Sequence, residues 1–264
     1  MSNININFIE GLLKESGKTI LKEQSESRII EKSDLKGFVT NVDANIGRLI
    51  FSKINKYFPK DSIECEDGIQ NKQGSSNRVW YVDPLDGTTN FIHGLPFFAV
   101  CISCYDKQKS EFVVSGVYIP FFDQLFMAFG QDLVKLNGMK ITVSKTKVLK
   151  DSLILSGFSY KLEQNGYEAT TFIKISSVSN GTRRSGSAAF DLCYVAAGFA
   201  DAYYHFNLKP WDIAAGCHIV KNAGGYISNI NTAGTFNLYN KTVIASNNLI
   251  HRELSIQLLE NNSI

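Results

Sequence analysis

At 264 residues the chain is long enough for one large domain or two closely packed halves, and its composition is that of an ordinary globular protein. A formal net charge of +2 without any long Lys or Arg block gives no electrostatic case for a nucleic-acid or membrane partner, so neither is expected. The first twenty residues carry Glu10 and Glu15, and no run approaches the ~18 apolar residues of a membrane span, so a cytoplasmic location is expected.

Two amphipathic helices open the chain. Phe8/Ile9, Leu12/Leu13 and Ile20/Leu21 share one helical face, and Ile46, Leu49/Ile50, Ile54 and Tyr57 share another. Between them the polar stretch 31–37 reads as a loop or bent hairpin ending at Phe38-Val39-Thr40, suited to a mobile flap. From residue 79 the pattern turns to short β-rich runs at 79–82, 97–105, 112–118 and 125–129. Turn residues at 106–110 and 120–123 make them an antiparallel meander. Strands follow at 152–156 and 201–206, and helices at 187–197 and 212–223, with Gly198 and Gly224-Gly225 where helix C-caps belong. The class is α+β, with no internal repeat.

Five scattered cysteines, Cys65, Cys101, Cys104, Cys193 and Cys217, do not make a disulfide framework. Cys101 and Cys104 have CxxC spacing but sit in a strongly apolar run without a second Cys/His pair, which predicts buried thiols.

The strongest chemical signal is Trp80-Tyr81-Val82-Asp83-Pro84-Leu85-Asp86-Gly87-Thr88. Proline restricts the turn and can hold both carboxylates toward one point, where two like charges call for a cation. Gly87-Thr88-Thr89-Asn90 then offers amides and hydroxyls to phosphate oxygens at a helix start. A bare DxxDG is more often a surface turn, but apolar runs on both sides make an idle turn a poor fit.

Four blocks in order resemble the inositol monophosphatase family, within the fructose-1,6-bisphosphatase-like, lithium-sensitive phosphatases, and its bacterial branch in particular. They are Val39-Thr40-Asn41-Val42-Asp43; Phe58-Pro59 with Cys65-Glu66-Asp67; the run from Trp80 to Phe91; and Lys209-Pro210-Trp211-Asp212-Ile213-Ala214-Ala215-Gly216. The resemblance implies a layered α/β/α/β/α sandwich in one compact unit. Residues 1–140 would carry most metal ligands, and residues 141–264 would carry Asp212 and the substrate side. It implies Glu66, Asp83, Asp86, Asp212 and the Leu85 carbonyl as ligands of two or three Mg²⁺ ions, an all-oxygen set that suits a hard cation, with Li⁺ as an inhibitor. Thr40, Asp43 and Thr88 fall on the water-activating positions, and Asp86, Gly87, Thr88, Ala188, His205 and Asp212 on the substrate side. The implied reaction is hydrolysis of a small polyol or sugar phosphate, inositol-1-phosphate-like, by direct attack of water without a phosphoenzyme, in a homodimer.

Several positions depart from the pattern or carry a second reading. Asp67 replaces the second acid of a Glu-Glu pair, and Glu64 reads as a solvated charge. His205 stands where many members carry a glutamate that binds substrate hydroxyls. A histidine there can carry positive charge and points away from inositol phosphate, or else is a rim residue without a substrate contact. Asp212, just after Pro210-Trp211, is also a natural helix N-terminal residue. Arg183 and Arg184 read as a solvated or interfacial pair, and His93 as structural. The alternative substrates are fructose-1,6-bisphosphate, histidinol phosphate or a nucleotide 3′-phosphate. A protein-binding role in transcription antitermination is the alternative of another kind. A haloacid-dehalogenase-type phosphatase is the chemical rival, but its two aspartates are separated by one residue and Asp83 and Asp86 by two; a trapped phosphoaspartate would favour it.

Overall fold

The computed structural model describes residues 4–24, 29–33, 37–66, 71–159, 166–230 and 236–259. Helix α1 (Ile6–Glu23) starts where the Asn5 side chain accepts from the Asn7 amide, and it buries Ile9, Leu12, Leu13 and Ile20. The expected hairpin is present as β1 (Ile29–Ser33) antiparallel to β2 (Gly37–Thr40), which leads directly into α2 (Asn41–Tyr57).

Seven strands form the larger sheet in sequence order: β3 (Ser62–Cys65), β4 (Arg78–Asp86), β5 (Ala99–Asp106), β6 (Glu111–Ile119), β7 (Gln124–Phe129), β8 (Leu133–Leu136) and β9 (Met139–Lys140). All neighbours are antiparallel except β3 and β4. Side chains alternate between faces. Val79, Tyr81, Cys101 and Val117 enter one core, while Trp80, Val82, Ile102 and Val114 enter the core under α1 and α2. Burial on both faces explains why these strands read as unbroken apolar runs.

Helix α3 (Thr88–Ile92) follows β4. A second sheet is built from β10 (Leu153–Ser156), β11 (Gly181–Arg183), β12 (Ala202–His205), β13 (Tyr226–Ser228) and β14 (Val243–Ser246), in the order β11-β10-β12-β14-β13. β11, β10 and β12 are mutually parallel, and β14 runs antiparallel to β12 and β13. Helices α5 (Ala188–Ala196) and α6 (Pro210–Asn222) lie between the sheets, and α4 (Tyr167–Val178) and α7 (His251–Leu259) cover the outer face. The layers are thus α/β/α/β/α, as expected.

The structure corrects several boundaries. β4 does not stop at 82 but runs through Pro84 to Asp86, because its register with β5 slips between Asp83 and Asp86 and frees proline from the ladder. Helix α6 begins at Pro210, two residues before Asp212, since proline is well accommodated in a first helical turn. Trp80 is fully buried with its indole N–H donating to Asp61 (2.9 Å), which also pairs with Arg78 (3.0 Å). Trp211 is half-buried at the start of α6. All five cysteines are buried and none is in a disulfide. Among the described residues no helix is long and apolar enough to cross a membrane.

Candidate active site

The bulged end of β4 turns sharply because Asp83 Oδ1 accepts the Leu85 amide at 3.1 Å. Gly87 follows with φ +89°, and a Cβ there would meet the Phe97 carbonyl oxygen at 2.7 Å, so the turn into α3 requires glycine. Thr88, the first residue of α3, directs its hydroxyl back to the Leu85 carbonyl (2.9 Å) and to Asp43 Oδ1 (3.0 Å). One hydroxyl hydrogen is thus shared between two acceptors.

Asp43 is reached from the other side by Thr40. The Thr40 amide donates to Asp43 Oδ2 at 2.8 Å, the Thr40 hydroxyl also donates to Oδ2, and both residues are buried at the start of α2. A helix cap and a chemical triad are therefore the same object: Thr40, Asp43 and Thr88, distant in sequence, meet through one carboxylate. Burial pushes Asp43 above the usual carboxylate range, opposed by bonds from Thr40 and Thr88.

Asp83 is almost fully buried, and its carboxyl is pushed well above the ordinary range. Desolvation dominates, followed by the charges of Glu66, Asp86 and Asp212; Asp83 also shares a hydrogen bond with Glu66. Glu66 is fixed just beyond β3 by its amide, which donates to the Val82 carbonyl (3.1 Å). Burial raises Asp86 to about 6, partly offset by the Ser187 hydroxyl (2.6 Å) and the Ala189 amide (2.7 Å). Asp212 is raised to about 7 by burial. Its Oδ2 accepts the Lys209 amide (2.8 Å), so it caps α6 while also facing Asp86. Its structural and electrostatic roles coexist.

Among the described residues no three His, Cys, Asp or Glu side chains form a ready-made metal cage. The mutual repulsion at Asp83 weighs more in deciding whether a cation fits. Mg²⁺ takes much of its shell from water and substrate, and an oxygen-only set of acids that raise one another's pKa is relieved by a hard dication. The residues present fit such an ion. Asp67 lies outside the described residues.

The side-chain amide of Asn90 donates to the carbonyls of Phe97 (2.6 Å) and Ser185 (2.9 Å) and ties α3 to the turn before α5. Two expectations need correction. Glu64 is not simply solvated: it is half-buried and accepts the Tyr239 hydroxyl at 3.0 Å, which in turn meets Tyr81 (3.0 Å). His205 is not cationic near neutral pH, since burial lowers it to about 4, with Arg184 opposing protonation further. Ala188 is buried at the first turn of α5 beside the Ser187 that holds Asp86. Ser187 itself was not singled out as a site residue, although a serine before Ala188-Ala189 is a helix N-cap signal, and its hydroxyl does accept the Phe190 amide (3.2 Å).

The sequence model of the Inositol monophosphatase family matches residues 5–263. The chain belongs to that family. Within the inositol monophosphatase family it is 36% identical over 249 residues to the Nus factor SuhB of Escherichia coli K12, covering 92% of this chain and 91% of that one. It is 34% identical to the chloroplastic phosphatase IMPL1 of Arabidopsis thaliana, covering 94% of this chain and 68% of that protein. The fold overlays the Thermotoga maritima IMPase with a TM-score of 0.86 at 30% identity, covering 97% of each. Family membership supports a phosphatase, and the family is in general metal-dependent.

Proposed function

We propose that the chain is a Mg²⁺-dependent phosphomonoesterase acting on a small polyol or sugar phosphate, inositol-1-phosphate-like, by direct attack of water on phosphorus. The observation that carries this reading is the meeting of Thr40 and Thr88 on the Asp43 carboxylate, with the Thr88 hydroxyl also on the carbonyl of Leu85, together with the mutual repulsion of the Asp83, Asp86, Asp212 and Glu66 carboxylates. Glu66, Asp83, Asp86, Asp212 and the Leu85 carbonyl would hold the cation. Bound Mg²⁺ supplies charge neutralisation and lowers the pKa of water.

The chain's own residues do the rest. Thr88, when it donates to Asp43, keeps its oxygen lone pairs available to accept a hydrogen from the attacking water, and Thr40 holds the Asp43 carboxylate in that orientation. The backbone amides at Gly87 and Thr88 face the phosphate, Ala188 and His205 face the alcohol portion, and Asp86 and Asp212 lie between. Water gains the phosphorus bond, the ester oxygen leaves with a proton, and no phosphoenzyme forms. Residues 1–140 and 141–264 act as one unit in a cytoplasmic homodimer, with Li⁺ as an inhibitor. A second reading, a protein-binding role in transcription antitermination, has support in the Nus factor names of relatives.

Phosphate release from a panel of the candidate substrates, with and without Mg²⁺ and with Asp83→Asn, separates the readings. A loss of about 10²–10³-fold in kcat/KM is expected for Asp83→Asn. Equal rates in all three conditions would exclude the phosphatase reading and leave the binding role.

A further inference from the structure

The acids of the candidate site come from both halves of the chain, and one tyrosine hydroxyl joins the segments that carry them. On the large-sheet side, Glu66 leaves β3 with its amide donating to the Val82 carbonyl (3.1 Å). Parallel register pairs Glu64 with Tyr81 and Cys65 with Val82. Side chains two residues apart on a strand share a face, so Glu64 and Tyr81 stand one step below Glu66 and Asp83, about 7 Å back along the strands. On the other side, the 3₁₀ turn Leu238–Asn240 packs against α6, whose first turn holds Asp212. The Lys241 carbonyl accepts the Leu208 amide (2.8 Å), and the next amide, that of Lys209, donates to Asp212 (2.8 Å). Tyr239 is therefore carried by the segment that braces the start of α6.

Tyr239 crosses between the two. Its hydroxyl lies 3.0 Å and 3.1 Å from the two Glu64 carboxylate oxygens and 3.0 Å from the Tyr81 hydroxyl. A carboxylate only accepts, so Tyr239 donates to Glu64, and its oxygen accepts from Tyr81, whose buried hydroxyl thereby gains a partner. The Tyr239 ring meets the Tyr81 ring edge-on at 6.4 Å and is otherwise exposed. Apolar packing in the shared core holds the halves together without fixing a direction, whereas a hydroxyl–carboxylate bond fixes one. Direction matters at this end of the core, because the charges of Glu66, Asp86 and Asp212 all bear on Asp83 and drive one another apart until a cation is bound.

We propose that Tyr239, acting through Glu64, is a positioning residue that holds the strand carrying Glu66 against the segment carrying Asp212, so that the cation meets a site already closed. This rests on the Mg²⁺-dependent reading and adds to it a residue outside the acid set. Without the tie, like charges spread the metal-free site, and part of the binding free energy of the cation goes into closing it.

The test reads cation binding without substrate: Mg²⁺ displaces Mn²⁺ from the metal-stripped, full-length protein, and free Mn²⁺ is followed by electron paramagnetic resonance. Tyr239→Phe removes the hydroxyl and no charge. Its Mg²⁺ Kd is expected to rise about three- to tenfold, less than for a group that touches a ligand directly. Its metal-free melting temperature is expected to stay within about 2 °C of wild type, as for other exposed side chains, and its kcat at saturating Mg²⁺ to return to within about twofold. Glu64→Gln and Glu64→Leu lose the same charge, but only glutamine keeps an oxygen for the Tyr239 hydroxyl. Glu64→Leu is expected to bind Mg²⁺ about threefold or more weakly than Glu64→Gln, and adding Tyr239→Phe to Glu64→Leu to change nothing further. Wild-type affinity in Tyr239→Phe, a kcat that stays low at saturating Mg²⁺, or equal affinities in the two Glu64 variants overturns the proposal and leaves the phosphatase reading standing. Should Tyr239→Phe melt early, the Glu64 pair decides. No Mg²⁺-displaceable site in the wild type overturns the metal-dependent reading itself.

Discussion

Loss of solvent, more than the charge of any neighbour, raises the carboxyl groups of this site above their ordinary range. Asp86 and Asp212 titrate near 6 and 7 in the fold, against an ordinary value of 3.8, so between those limits the folded chain binds more protons than the unfolded one. Their contribution to stability is accordingly full below about pH 4 and is lost as pH rises through 6 and 7. Metal-stripped protein should melt at a lower temperature at pH 8 than at pH 5 as far as these groups are concerned. Saturating Mg²⁺ should raise the melting temperature at pH 8 by about 5–10 °C, and by less at pH 5, where protons compete for the same oxygens. Differential scanning fluorimetry across pH with and without the cation reads both; an equal Mg²⁺ increment at the two pH values would contradict the assigned ligands. At this scale the sequence was legible wherever the partners are contiguous. Asp83, Asp86 and Thr88 lie in one run and Thr40 and Asp43 in another. The Ser187 hydroxyl and Tyr239 escape such reading because their partners, Asp86 and Glu64, are 101 and 175 residues away in sequence.

Elements bring those distant residues together, and their fit can be tested without touching any charged group. Helix α6 carries Asp212, and α5 follows the Ser187 that binds Asp86; the two helices approach so closely that a Cβ on Gly216 would meet Leu192 Cβ at 2.5 Å. Because Leu192 Cβ is tied to its backbone, Gly216→Ala must displace one helix from the other. The expected result is a loss of about 1–3 kcal/mol in stability and a several-fold rise in the Mg²⁺ concentration giving half-maximal phosphate release. Unchanged Mg²⁺ dependence would mean that α5 and α6 do not set the spacing of the two acids. The long, two-face-buried strands β4 to β7 were readable from their apolar runs. The two-residue β9 and the three-residue β11 and β13 were not, since strands that short are defined by the ladder they join rather than by any pattern of their own. Helices α4 and α7 were missed for a related reason: α4 interrupts its apolar positions with Thr170, Thr171, Ser176 and Ser177, residues that on sequence grounds favour caps and turns.

Across the whole molecule, one hydrophobic core takes residues from β4, β5 and β6 of the large sheet, from α5 and α6, and from β12 and β14 of the small sheet. A core shared in this way couples the two sheets, so chemical denaturation is expected to give one transition with coincident far-ultraviolet circular dichroism and fluorescence midpoints. Sedimentation is expected to report a dimer of the 29.4 kDa chain, and a monomer at micromolar concentration would remove the homodimer from the proposal. The layered architecture was foreseen from motif resemblance more than from periodicity, because the order of strands in a mixed sheet is not written in local pattern.

The placement of the two tryptophans has a practical outcome. Trp80 is sealed in the core under α1 and α2, three residues before Asp83, and Trp211 is half-buried immediately before Asp212. The molecule thus contains two optical probes that divide their labour: the sealed indole senses whether the chain is folded, and the other senses what happens at the acids. Titrating Mg²⁺ should change the emission of Trp80→Phe, which retains Trp211, and leave that of Trp211→Phe nearly constant. Cation occupancy could then be followed without a substrate and separately from unfolding.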